Sequence, residues 1–215
     1  MSNDRYYQVV LIWMKDANLF AEYGQAVGPV VAKYGGSLER MLTPQEIQGR
    51  DLAVPDMVNV VYYDSEEAYE AFERDPEFIE IKQMRTDSID MLALEGHSSH
   101  GAVVEGGEPE RLYLLELAEF GDDGEAGYRR YAQRADAFMS PHGFHVEREI
   151  AVRRFDDGLG FAPNVARVTY FDGGDGLAKA HSLPGHEELE AGYDAAAANS
   201  LWVVGAVHAM TLAQA

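Results

Sequence analysis

Apolar and polar positions follow two rhythms along this chain, and the switches between them mark out short elements. Tyr7, Val9, Leu11 and Trp13 recur with a period of two, and Gln8, Val10 and Ile12 lie between them. The first run therefore reads as a strand with apolar groups on both faces. Phe20, Tyr23, Val27, Val30 and Tyr34 follow at spacings of three and four, which predicts a helix. Gly35-Gly36 ends it, because glycine accepts the left-handed conformation found at helix C-termini. Ser37–Leu42 and Met57–Tyr63 read as strands. Asp64-Ser65 stands at an N-cap position before Ala68, Tyr69 and Phe72. Pro76 interrupts that helix, Phe78–Arg85 resumes helical spacing, and Ile89–Leu94 is a closing strand. The order is β-α-β-β-α-β.

The same order returns. Shifted by 108 residues, the chain matches itself without a gap from about Phe20 to Glu80. Tyr23/Tyr131, Gly35/Gly143, Glu39/Glu147, Arg40/Arg148, Pro55/Pro163, Tyr62/Tyr170 and Pro76/Pro184 are among the identical pairs, and the apolar pattern stays in phase. The second series reads Leu112–Ala118, Tyr128–His142, His145–Val152, Val165–Phe171, Asp175–Leu183 and Leu201–Val204. The expected organisation is a first repeat over residues 1–97, a linker over 98–110 and a diverged second repeat over 111–215. The Gly-, Ser-, His- and Glu-rich run from Gly96 to Glu110, with His97 and His100 in it, reads as solvated connecting chain. Because the first strand is apolar on both faces, its sheet needs a cover on the side away from the helices. A second copy in the same chain supplies that cover.

Charge and composition narrow the partners. Seventeen basic residues face 37 acidic ones, giving a formal net charge of −20, and only Lys15, Lys33, Lys82 and Lys179 are lysines. Such a field repels phosphate backbones and anionic bilayers, so neither nucleic acid nor a membrane is an expected partner. An acid-rich, lysine-poor surface also suits a salty cytoplasm. There is no cysteine, which excludes disulfides, thiolate nucleophiles and zinc–thiolate sites. No run approaches the length of a membrane span, and the opening Met1-Ser2-Asn3-Asp4-Arg5 lacks the features of a signal peptide, so a cytoplasmic location is expected.

Tyr34-Gly35-Gly36-x-Leu38-x-Arg40, Tyr63-Asp64-Ser65-x-Glu67-Ala68, Asp75-Pro76-Glu77-Phe78 and Arg85 together resemble the bacterial domain-of-unknown-function 1330 family, over about residues 6–97. The resemblance implies an α+β fold in which two ferredoxin-like βαββαβ repeats form an intramolecular dimeric α/β barrel. That superfamily includes cofactor-free monooxygenases of aromatic polyketides, lactone isomerases, polyketide cyclases and haem-handling enzymes, an analogy at the level of fold. The second copy departs from the pattern. His142 replaces Tyr34, Phe144 replaces Gly36, His186 replaces Phe78 and Tyr193 replaces Arg85.

Arg40 lies between Leu38 and Leu42, and Arg148 between Val146 and Ile150, so strand alternation points each guanidinium to the apolar face. A buried arginine needs an anionic partner: either a ligand carboxylate or phenolate, or a structural Glu or Asp. Histidines concentrate in the second copy, at His142, His145, His181, His186 and His208. His142, His145 and His186 are candidate general bases, with Tyr170 as a stabilising hydroxyl; His-x-x-His across a turn is a poor metal spacing. Arg40, Arg148, Tyr62, Asn59 and Arg167 are candidate ligand contacts. Gly173-Gly174-Asp175-Gly176 lacks the spacing of a phosphate loop. The expected function is small-molecule binding, with cofactor-independent oxygenation or isomerisation of an aromatic or carbonyl substrate as the leading chemistry. A non-catalytic binding or stress-related module and a haem or metal binder are the alternatives. No cofactor and no metal site are expected, and a homodimer of the fused unit is allowed.

Overall fold

The computed structural model describes residues 5–98 and 111–207. In chain order its elements are β1 (Arg5–Met14), α1 (Ala17–Lys33), β2 (Ser37–Gln48), β3 (Met57–Tyr63), α2 (Glu66–Glu73), α3 (Pro76–Ser88) and β4 (Ile89–Ser98). The second half holds β5 (Leu112–Phe120), α4 (Gly124–Met139), β6 (Phe144–Phe155), β7 (Val165–Phe171), α5 (Gly176–His181), α6 (His186–Ala196) and β8 (Ala197–Val207). The three helix starts of the first half are capped by side chains, and those of α4, α5 and α6 are not. Asp16 accepts from the Asn18 and Leu19 N–H groups, Ser65 from Ala68, and Asp75 from Glu77 with Pro76 in the first turn. Asp75 also accepts from Lys33 Nζ and the Tyr34 hydroxyl, each at 2.7 Å, which ties the end of α1 to the start of α3.

The eight strands close into one antiparallel barrel in the order β1-β3-β2-β8-β5-β7-β6-β4. Closure needs longer strands than the apolar pattern marks. β2 continues to Gln48 and pairs with β8 from Leu42↔Val207 to Gln48↔Trp202. β4 continues to Ser98, and β6 reaches Phe155 to meet it. These extensions form the two seams between halves. Their exposed residues are mostly polar, Phe155 excepted, so periodicity alone does not mark them. His97 accordingly lies in β4, with Nε2 3.2 Å from Glu66, rather than in connecting chain. The remaining linker positions, including His100, and His208 lie outside the described residues. Gly96 and Gly205 sit on the seams, where an added Cβ would collide with the carbonyl oxygen of Ala151 or Thr43, so only glycine fits.

The barrel interior is packed with Tyr7, Val9, Leu11, Leu42, Val58, Val60, Leu94, Tyr113, Leu115, Leu117, Ile150 and Val168, among others. β2 and β6 face each other across this interior, four strands apart in either direction. Each carries a bulge, between Leu38 and Arg40 and between Val146 and Arg148. The bulge alters the expected alternation. Arg40 and Arg148 share the interior with Leu42 and Ile150, whereas Val146 packs on the helix side.

The extra residue of each bulge buries Glu39 and Glu147 beside the arginines, and the four side chains pair crosswise. Arg40 meets Glu147 through Nη2–Oε1 and through Nε–Oε2 at 3.1 Å. Arg148 meets Glu39 through Nη2–Oε1 at 2.5 Å and Nε–Oε2 at 3.3 Å. All four side chains are at most 2% exposed. Tyr113 lies under the Arg40 guanidinium and Tyr7 under that of Arg148, at 5.8 and 5.0 Å from the ring centres. Burial opposes both guanidinium charges, but the facing carboxylates outweigh it and the net shift of each arginine is upward.

Removing one partner leaves a buried, uncompensated charge. We expect Arg40→Met to cost about 3–5 kcal/mol in chemical denaturation, with much of that recovered in Arg40→Met/Glu147→Leu, where an apolar pair replaces the ions. Equal loss in the single and double variants would show that the crossed pairs do not act as units.

Candidate functional site

The halves repeat one another's contacts in the barrel wall. Tyr7 stands opposite Tyr62 and Tyr113 opposite Tyr170, with Arg5 over Tyr62 at 4.2 Å and Arg111 over Tyr170 at 4.3 Å. They differ on the outer face, between sheet and helices. In the first half Tyr6, Tyr63, Tyr69, Phe72 and Phe78 fill that space, with the Phe72 and Phe78 rings 4.2 Å apart. At the positions 108 residues on from Tyr69, Phe72 and Phe78 stand Leu177, Ala180 and His186. The lost aromatic volume is left as a cavity of about 390 Å³ between the second-half sheet and α4, α5 and α6. A cleft of similar volume at Tyr69, Glu70, Arg74, Glu95 and Arg154 is a more open surface feature, laced by ion pairs from Arg154 to Glu66 and Glu70.

The floor of the cavity is ionisable. Glu116, on β5, is 1% exposed and accepts from the Tyr128 hydroxyl at 2.7 Å. Burial pushes its carboxyl upward, and Arg167, with Nη1 3.9 Å away, and Tyr128 offset part of that rise. Arg167, on β7, makes two 2.8 Å contacts to the Asp136 carboxylate and has Nε 3.6 Å from Glu149. Burial works against the Arg167 charge, but Tyr128, Glu116 and Asp136 outweigh it, so its net shift is upward.

The walls are aromatic. Tyr131 packs on Tyr193 at 5.2 Å and Tyr193 on Trp202 at 5.4 Å between ring centres. The buried Tyr193 hydroxyl lies beside Glu116 and Ser200 without completing a hydrogen bond. Towards the mouth, the His181 and His186 rings lie 4.7 Å apart and His186 Nδ1 is 3.5 Å from Glu190. Burial and the neighbouring His181 lower the His186 pKa, against the pull of Glu190. Glu116, Glu190 and Asp194 contribute carboxylates to the lining, against the single guanidinium of Arg167. A carboxylate or phosphate ligand would meet net repulsion here.

Of the residues marked by sequence, Arg167, His181 and His186 line this cavity and the others do not. His142 is exposed at the end of a short 3-10 turn, with its ring 6.5 Å from Phe138. His145 stacks on Tyr170 at 4.8 Å and pairs with Asp172 at 3.0 Å. Tyr170 and Tyr62 pack against the interior cluster. Arg40 and Arg148 are taken up by Glu147 and Glu39, the structural-carboxylate alternative of the two open for them. Asn59 occupies the first-half position matching Arg167, and its buried Oδ1 has no hydrogen-bond partner.

Glu116, Tyr131 and Trp202 went unmarked. Nothing in the pattern separates Tyr131 and Trp202 from other aromatics of their helix and strand, and Glu116 is one more polar position in a strand. α6 was also missing from the second-half pattern, because Gly185 and the sparse apolar positions of 186–196 blur its period.

Residues 5–97 match the family model described as Domain of unknown function (DUF1330). No curated protein matches the sequence. Among solved structures, an anthrone oxidase-like protein superposes with a TM-score of 0.62 at 12% identity, covering 95% of this chain and 91% of that one. A provisionally named monooxygenase from Lactobacillus acidophilus NCFM gives 0.52 at 10% identity, covering 95% and 94%. A double mutant of chlorite dismutase from Candidatus Nitrospira defluvii gives 0.57 at 9% identity, covering 96% and 92%. At such identities the likeness concerns the fold, which is that of dimeric α/β barrel proteins. Among the described residues no helix is long and apolar enough to cross a membrane.

The raised Glu116 pKa has a definite sign in stability. A group whose folded pKa exceeds its unfolded value adds stability as the pH falls through the folded value towards the ordinary 4.5, and makes the buried charge a cost near neutrality. Glu116→Gln should therefore melt higher than the parent near neutral pH, with the difference shrinking in acid. Isotope-edited infrared spectra should show a protonated carboxyl persisting above the ordinary range, and lost in the variant. A Glu116 band that titrates in the ordinary range would refute the shift.

Proposed function

We propose that this protein is a small-molecule binder whose working site is the second-half cavity, and that it takes a neutral aromatic or carbonyl ligand. In this reading residues 1–97 and 111–215, joined by 98–110, are fused ferredoxin-like copies. The first became filled and structural, and the second opened into the site. The observation that carries the proposal is the replacement of Tyr69, Phe72 and Phe78 by Leu177, Ala180 and His186 over a floor of buried ionisable groups.

The chemistry best suited to this floor is proton transfer next to a carbonyl. Glu116, desolvated and raised in pKa, is placed to take a proton from the carbon beside a ligand carbonyl. The C–H electron pair moves into the carbonyl, and the Tyr193 hydroxyl, beside Glu116 and Ser200, turns to donate to the resulting enolate oxygen. In a ligand with a double bond next to that carbon the enolate is extended, and return of the same proton from Glu116 to the far end of that double bond completes an isomerisation with no oxidant or bound cofactor. In this reading Glu116, buried in the cavity floor, takes the role that the sequence suggested for a histidine; His142 and His145 do not line the cavity, and His186 stands towards its mouth.

A non-catalytic binding module is the second reading. It is favoured by the pairing of both strand arginines with carboxylates, which leaves neither for a ligand.

Two probes separate the readings. The fluorescence of 2-naphthol should report binding, and deuterium exchange beside the carbonyl of 2-tetralone, followed by NMR, should report proton transfer. Ala180→Phe, which restores the first-half residue, should abolish both. Glu116→Gln should keep 2-naphthol binding and slow the exchange by roughly 10²–10⁴-fold. Binding without exchange above the buffer rate would leave a binding module. Undiminished binding in Ala180→Phe would remove the cavity from consideration.

A further inference from the structure

We propose that His181, His186 and Glu190 form a site for one divalent transition-metal ion at the mouth of the second-half cavity. One ligand atom from each residue lies within 4.8 Å of the others. His186 and Glu190 are one turn apart on α6, the i, i+4 spacing that places two ligands on one helix face. His181 comes from the end of α5. Metal–ligand bonds of about 2.0–2.2 Å put tetrahedral ligand atoms roughly 3.3–3.6 Å apart. The cluster therefore needs only side-chain rotation to close, and the exposed His181 and Glu190 are free to make it.

The first half supplies an independent contrast. The positions matching His181, His186 and Glu190 are Glu73, Phe78 and Lys82. There Lys82 Nζ lies 3.9 Å from Glu73 and Phe78 is fully buried, so the same corner is closed by an aromatic ring and an ion pair. In the second half three ligand-type side chains replace a cation, an anion and a phenyl ring.

Two imidazoles and one carboxylate are a donor set for zinc, cobalt, nickel or ferrous iron, not for calcium or magnesium, which favour oxygen-only shells. Three protein ligands leave coordination positions open, the arrangement of reactive rather than purely structural metal sites. All three residues line the cavity, so the open positions face the space proposed for the ligand. The acidic lining, adverse to anions, attracts a cation. Metal binding itself depends on these three side chains alone. Only what the open positions face rests on the cavity reading.

The test is titration of the purified, chelator-stripped full chain with Co²⁺, read by visible d–d absorption and by calorimetry. The expected result is one saturable equivalent with visible bands. Affinity should fall in His181→Ala and His186→Ala by at least the roughly 10–100-fold that loss of a supporting outer-shell group costs. His181→Ala removes an exposed side chain and guards against misfolding as the cause. Absence of saturable binding, or binding unchanged in both histidine variants, overturns the site. Ala180→Phe keeps the three ligands while refilling the cavity. Cobalt binding retained in that variant shows that the site does not need the open cavity, and saturable cobalt binding with no 2-naphthol binding in the parent sinks the cavity alone; 2-naphthol binding in the parent with no saturable cobalt binding there sinks the metal site alone.

Discussion

Two guanidinium–carboxylate pairs cross the interior of the barrel from β2 to β6, with almost no access to water, and the architecture is arranged around satisfying them. Each pair takes its arginine from one half and its glutamate from the other. Neither half can neutralise its own buried charges in this way. Packing alone would tolerate slippage between two apolar sheet faces, since burial of apolar area has no direction. Bidentate ion pairs have one geometry, so they fix the register of one half against the other. The bulges before Arg40 and Arg148 follow from the same requirement, because each buries a glutamate and an arginine that are adjacent in sequence.

That constraint leaves the outer faces of the sheets free to diverge. The interior contacts are kept nearly residue for residue, down to Tyr7 and Tyr113 lying under opposite arginines. On the helix side the first half is a filled aromatic core, with Tyr69 and Tyr6 donating to Glu95. The second half has smaller side chains, Leu177, Ala180 and His186, at the positions matching Tyr69, Phe72 and Phe78. A void of this size in an ordinary core costs several kcal/mol. Here it lies beside the desolvated Glu116 and Arg167, and that combination is the ground for proposing a site there.

Much of this architecture was legible in the sequence. The repeat from Tyr23/Tyr131 to Pro76/Pro184, the two-sided apolar pattern of β1 and the cap at Asp64-Ser65 are local or self-comparative signals; the cap at Asp75, with Pro76 opening α3, came from the structure. Each acts within a few residues or between matched positions. The ends of β2, β4 and β6 were not legible, because their pairing partners come from the other half. The site was legible only in part. His186 stood out because it replaces Phe78, and Arg167 because it is a charge within a strand. Glu116 gave no signal, since its importance lies in its desolvation and its contact with Tyr128.

The sequence by itself determined most of the element order, the internal match at a shift of 108, the absence of cysteine chemistry and the need for each strand arginine to find an anion. Those follow from periodicity, composition and the cost of burying charge. Only the tertiary structure decided which anions they found and which histidine met a cavity. A bulge can reverse the facing of a strand residue, and three side-chain truncations open a void only where the same helices and sheet converge. Partner choice across a barrel depends on distances between residues about a hundred positions apart, and no local pattern carries them.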